Sequence, residues 1–180
     1  DCIKIGMLHS PDIIEAVCDT LAQEAPEVPV VVDPVMVAKG GASLLADEAM
    51  AALKSLMIPR ATVLTPNLPE AEALAGMKSI GEEDAEELAQ ALSAMGPQAV
   101  LLKGGHRDGS EVMDLLMERG NVTDIYRSPR IDTAHTHGTG CTLASAIATG
   151  IAQGLSLREA VARGRNYVQE AIRTAPGYGQ

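Results

Sequence analysis

Phenylalanine and tryptophan are absent from this chain, and its three aromatic residues are all tyrosine. A hydrophobic interior built from it must therefore be aliphatic, drawn from Ala, Leu, Val, Ile and eight Met. Three scattered Tyr provide no stacking platform for single-stranded bases. Positive charge is also scarce. Against 24 Asp+Glu stand 14 Lys+Arg, a formal net charge of −10, the reverse of the basic footprint that phosphate-backbone binding requires. Long apolar runs are missing too: Val28 to Val32 and Cys141 to Ala152 are too short or too interrupted to span a bilayer. No basic start followed by an apolar run reads as a signal peptide. Nucleic acid and membrane are thus poor partners. Cysteine is sparse, and Cys2, Cys18 and Cys141 form no C-x-x-C pair, which fits neither a disulfide framework nor a zinc site. A cytoplasmic location is expected.

What is present alternates. A length of 180 residues favours a single domain spanning 1–180, and a chain of that size hides about 70% of its unfolded surface without disulfides or structural metals. Ile3 to Met7 reads as a strand. Ser10-Pro11 then caps a helix that carries Ile13, Ile14, Val17 and Leu21. Val30 to Val32 is continuously apolar, as in a parallel strand buried on both faces. A helix over about Asp47 to Met57 is expected to stop at Pro59, and Thr62 to Leu64 is the next strand. Asn67 opens a short helix ending near Gly76, and Glu82 to Met95 forms another. Ala99 to Leu102 is a strand, Val112 to Leu116 and Val122 to Tyr126 a strand pair. Helices over about Gly140 to Gln153 and Leu157 to Thr174 close the chain, the last capped by Ser156 with Glu159. The pattern is that of a layered α/β domain with a mostly parallel sheet, whose right-handed crossovers are expected to put helices on both faces.

Ligands of open α/β sheets bind outside the carboxyl ends of the strands. Those ends carry Met7-Leu8-His9, Asp33-Pro34, Thr65-Pro66-Asn67 with Glu70, and Lys103-Gly104-Gly105-His106. Two acids with a lysine suit a magnesium-bound polyphosphate. Glu70 fits a capping box with Asn67 as well as a metal site, and Asp33 before Pro34 also fits a turn. In Thr136-His137-Gly138-Thr139-Gly140-Cys141-Thr142, glycines precede an apolar helix, an arrangement that offers backbone N–H groups to an anion. It is not a Walker A loop. Cys141 at this junction is expected to have a lowered pKa and to act as base or nucleophile, whereas Cys18 reads as packing and Cys2 has nothing around it. His106, His135 and His137 have no ligand spacing and read as loop neighbours of a phosphate.

These strings, with Lys4-Ile5-Gly6-Met7-Leu8 and Asp33-Pro34-Val35-Met36-Val37-Ala38-Lys39, resemble the bacterial hydroxymethylpyrimidine/phosphomethylpyrimidine kinases of the ribokinase-like superfamily. The resemblance implies a three-layer αβα fold with a mostly parallel central sheet. It implies ATP and Mg²⁺ as cofactors, and phosphorylation of 4-amino-5-hydroxymethyl-2-methylpyrimidine and then of its monophosphate, in thiamine biosynthesis. By the same resemblance Cys141 is the catalytic base, and Gly138, Thr139 and Gly140 form the anion hole. Asn67 and Lys103 lie along the ATP phosphates, Met7 and Val35 border the pyrimidine, and Asp33 and Glu70 organise Mg²⁺. A homodimer is expected. His9 stands where a small residue is common and His135 where Asn is common. Family members carry an N-terminal portion before the segment matched by residue 1, so the chain resembles the C-terminal portion of the complete domain. Two other readings are a pyridoxal or pyridoxine kinase and a non-catalytic nucleotide-binding fragment.

Overall fold

A computed structural model of the chain describes residues 1–36, 46–78, 81, 84–105, 109–133 and 136–176. Strand β1 (Ile3–Ile5) leads into α1 (Pro11–Glu24), and β2 (Val30–Val32) into α2 (Asp47–Ala52). A π-helical stretch (Leu53–Met57) connects α2 to α3 (Ile58–Arg60). Then follow β3 (Val63–Leu64), α4 (Leu68–Ala75), α5 (Asp84–Ser93), β4 (Ala99–Leu102), β5 (Glu111–Glu118) and β6 (Asn121–Pro129). Helices α6 (Thr139–Ala152) and α7 (Leu157–Arg173) complete the described chain.

The six strands form one sheet in sequence order, β1-β2-β3-β4-β5-β6. The first four are parallel, while β5 and β6 form an antiparallel hairpin added to the edge of β4. The hairpin tip is Arg119-Gly120, both at positive φ (51° and 78°), the combination that matches the twist of a two-residue turn. Winding in one direction puts every helix between parallel strands on the same side. Thus Val30, Val32 and Leu64 pack with Ile14, Leu53, Leu74 and Leu88 of the crossover helices. Val31 and Val63 point the other way, against Leu143 and Ile147 of α6 and Val161 of α7. The three layers expected from the sequence are present. However, the second helical layer comes from the two C-terminal helices, not from crossovers that change sides.

Several boundaries differ from expectation, among them the hairpin strands, which run on to Glu118 and Pro129 rather than Leu116 and Tyr126. The helix begun at Asp47 does not stop before Pro59 but continues to Arg60. Pro59 has no N–H, and its ring would collide with the carbonyl four residues back. The preceding turn widens, with Ile58 N–H donating to Leu53 O five residues back, so the proline is absorbed. Strand β1 ends at Ile5, not Met7, and the backbone is free of ladder pairing where it reaches the site. Glu82 lies outside the described residues, so the start of its expected helix is described only from Asp84. Cys18 packs against the first apolar cluster as expected, and Cys2 is not isolated but packs against the second.

Candidate active site

The carboxyl ends of β1, β2, β3 and β4 open onto one edge, and Asp33 lies at its centre. It follows β2 directly, is 2% exposed, and its N–H donates to Ile5 O at 2.9 Å, which locks the exit of β2 to β1. Lys103 Nζ sits 3.0 Å from Asp33 Oδ1 and Lys4 Nζ 4.0 Å from Oδ2. The Thr65 hydroxyl, at the end of β3, is 3.4 Å from Oδ1. A buried carboxylate is tolerable only when so partnered.

Lys103 is held in place by its backbone. Its N–H donates to Pro66 O at 2.9 Å, and Lys103 and Asn67 form an isolated parallel bridge beyond β3 and β4. Asn67 is the N-cap of α4: its Oδ1 accepts the Glu70 N–H at 2.9 Å, while Glu70 Oε2 accepts the Asn67 N–H at 2.8 Å. The capping box is therefore real, and it leaves the Asn67 side-chain NH₂ as the donor available to a phosphate. Burial raises the Glu70 pKa, and Asp33 adds to this, against the opposing influence of Lys103 and the bonds to Asn67.

The glycine loop meets this cluster from the other layer. Gly138 adopts the left-handed conformation (φ 76°) as N-cap of α6, which starts at Thr139 and packs against β1 and β2. Gly140 and Cys141 fall in the first helical turn, so their N–H groups have no acceptor within the helix. Their orientation and the helix dipole favour an anion. A Cβ on Gly140 would stand 3.2 Å from Lys103 Nζ, so the lysine passes directly over the helix start. Thr142 Oγ1 donates to Gly138 O at 2.8 Å and fixes the turn.

Cys141 corrects one expectation. The side chain is exposed, yet its pKa is raised, not lowered: desolvation by the neighbouring atoms acts first, then the Asp33 charge, with Lys4 and Lys103 pulling the other way. The helix N-terminus expected to favour thiolate does not prevail over desolvation and the Asp33 charge. The Asp33 charge therefore works against the thiolate at this position. Beside it an open groove of about 630 Å³ runs along α6 and α7, lined in part by Thr142, Ser145, Thr149, Arg163 and Tyr167.

Met7 lies after β1 and is 49% exposed, while Val35, after β2, is half-buried; both face the same edge of the sheet as Asp33. His106 and His135 lie outside the described residues, and His137 is exposed. Among the described residues no group of three His, Cys, Asp or Glu is placed to hold a metal by itself. Sequence reasoning gave Lys4 no role. The available signal was a lysine between Ile3 and Ile5, which strand alternation turns away from the isoleucines.

A sequence model of the phosphomethylpyrimidine kinase family matches residues 1–180. The chain belongs to that family. It is 45% identical over 180 residues to the hydroxymethylpyrimidine/phosphomethylpyrimidine kinase of Bacillus subtilis, covering 99% of this chain and 66% of that protein. Among solved structures it superposes on the phosphomethylpyrimidine kinase of Clostridium difficile with a TM-score of 0.80 and 37% identity, over 95% of this chain and 68% of the other. It also superposes on the Bacillus subtilis pyridoxal kinase in its ADP complex, with a TM-score of 0.86 and 34% identity, over 96% of this chain and 64% of that one. The chain thus spans about two thirds of the length of these relatives, and the family's ribokinase-like architecture accounts for its three layers.

Proposed function

We propose that this chain carries the nucleotide side and the catalytic loop of an ATP-dependent kinase. Its substrates are 4-amino-5-hydroxymethyl-2-methylpyrimidine and the monophosphate of that alcohol, the chemistry that builds the pyrimidine half of thiamine. What supports the reading is the convergence of Lys103 and Lys4 on one buried carboxylate, Asp33, beside a glycine-led helix start that carries Cys141.

In this mechanism the N–H groups of the Gly138-Thr139-Gly140 turn and the start of α6 receive the transferring phosphoryl group. Asn67 and Lys103 lie along the remaining phosphates, and Met7 and Val35 border the pyrimidine ring. Cys141 accepts the proton of the hydroxymethyl group as its oxygen attacks phosphorus. Because desolvation and the Asp33 charge raise the thiol pKa, the thiol first releases its own proton to solvent, and the reactive form is the thiolate. Lys4 and Lys103 favour that thiolate. Most of the rate then derives from positioning and from fixed dipoles aimed at the developing charge.

Asp33 and Glu70 fit a magnesium ion that arrives with ATP, since Mg²⁺ keeps several waters and takes one or two carboxylates plus phosphates. When bound, that ion neutralises phosphate charge during transfer. Homodimerisation and a cytoplasmic location belong to the same proposal and rest on the family resemblance; for the described residues, no helix is long and apolar enough to cross a membrane.

The superposition on a pyridoxal kinase bound to ADP favours one second reading, phosphorylation of pyridoxal or pyridoxine. Coupled ATP-consumption assays on the full-length protein with each alcohol separate the two. A larger kcat/KM for the pyrimidine alcohol is expected, and a larger one for pyridoxal overturns the first reading. Cys141→Ser should retain ADP binding and lose turnover on the order of 10²-fold or more, the range typical of a lost general base. Near-normal turnover in that variant removes Cys141 from the role of base. Nucleotide binding without turnover on either alcohol would favour the non-catalytic reading.

A further inference from the structure

The ladder between β4 and β5 ends one residue before the site. Its last pair is Leu102↔Leu115, after which the chain of β4 bends toward β3 to make the Lys103 bridge to Asn67. The next N–H, that of Gly104, meets no strand carbonyl. It donates instead to the side chain of Asp114, with Oδ1 at 2.8 Å. Only glycine fits at that position, because a Cβ would overlap the Met113 carbonyl oxygen.

Asp114 is itself 6% exposed, and its other oxygen accepts from Arg165 Nε of α7 at 2.7 Å. Arg165 is stacked 5.0 Å over the Tyr126 ring, and its Nη2 lies 3.4 Å from Ser128 Oγ. A buried acid fixed by a half-buried arginine is expensive to build unless both are fully used. Here the product is a defined direction for the backbone at Lys103-Gly104, one residue from the ammonium group on Asp33.

We propose that Asp114, anchored by Arg165, is a positioning residue for nucleotide binding that acts through Lys103. This rests on the reading of Lys103 as a phosphate ligand. Without the Gly104 bond the strand exit relaxes, and Lys103 loses its fixed approach to Asp33 and to the phosphates. A residue serving only stability would weaken both substrates or neither.

The test is direct titration of the full-length protein with ADP and a non-hydrolysable ATP analogue, alongside KM for the alcohol and thermal unfolding. Asp114→Ala should weaken nucleotide binding about tenfold, the scale of one lost charge-assisted hydrogen bond, with KM for the alcohol unchanged. Asp114→Asn keeps an acceptor for Gly104 and should restore most of the affinity, although it melts earlier because it no longer pairs with Arg165. In a Lys103→Ala background the Asp114→Ala penalty should disappear. Asp114→Ser, too short to reach Gly104, carries the same expectation and replaces Asp114→Ala if that variant does not fold. A penalty that persists without Lys103, equal losses in the Ala and Asn variants, or a wild-type protein that binds no nucleotide overturns the proposal. If the wild type binds nucleotide but phosphorylates neither alcohol, the functional reading fails while the positioning result still stands or falls by the titration.

Discussion

Asp33 organises the site because, among the described residues, it is the carboxylate that two lysines reach. A buried acid with a single partner would be a structural salt bridge. With Lys103 at 3.0 Å and Lys4 at 4.0 Å, its charge is balanced from two sides, while it acts on the Cys141 thiol through its field. The sign of each influence on Cys141 can be tested in nucleotide-free protein without added magnesium. Asp33 raises the thiol pKa, so Asp33→Asn should lower it and shift the pH profile of iodoacetamide alkylation to lower pH. Lys4 lowers it, so Lys4→Met should shift the profile to higher pH. Shifts in the same direction for both variants would contradict this arrangement. Much of this was legible beforehand: Asp33, Lys103 and Cys141 stand out as polar residues at strand or loop ends. Lys4 did not, because a lysine inside a strand looks like solvated alternation until the partner across the sheet is known.

At the level of elements, the helix start at Gly138 depends on how α6 is seated. Helices α6 and α7 approach closely at two glycines: a Cβ on Gly150 would stand 2.7 Å from Ala160 Cβ, and one on Gly164 would stand 3.2 Å from Leu143 Cδ1. An alanine normally stabilises a helix interior by about 1 kcal/mol relative to glycine, but backbone contact of this kind leaves no room to absorb the methyl. Gly150→Ala should therefore destabilise the protein by about 1–3 kcal/mol despite its better propensity. Chemical denaturation measures it, and a gain in stability would show that the helices can separate at no cost. The capping signals at Ser10, Asn67 and Ser156 were readable because each is local, a side chain reaching a backbone group three residues away. The continuation through Pro59 was not, because it depends on a widened turn that propensity does not encode.

For the molecule as a whole, a single sheet separates two apolar clusters that share no side chain. Ile14 belongs to one and Ile147 to the other, both fully buried. Ile14→Val and Ile147→Val should each cost about 0.5–1.5 kcal/mol, and the double variant should show their sum within about 0.5 kcal/mol. A clear departure from additivity in denaturant unfolding would mean that the layers communicate through the sheet. The sequence by itself determined the alternation of strands and helices, the parallel sheet, the glycine-led helix and the polar residues at the strand ends. Periodicity, caps and glycine placement are local, and strand ends in such a sheet share one edge. Only the tertiary structure decided that the second layer comes from α6 and α7, that Lys4 joins the site, and that the Asp33 charge opposes ionisation of Cys141. Each of these depends on charges and faces brought together from distant parts of the chain. Two of the 14 basic residues, Lys4 and Lys103, meet at Asp33, so that even an acidic protein presents ammonium groups at the sheet edge.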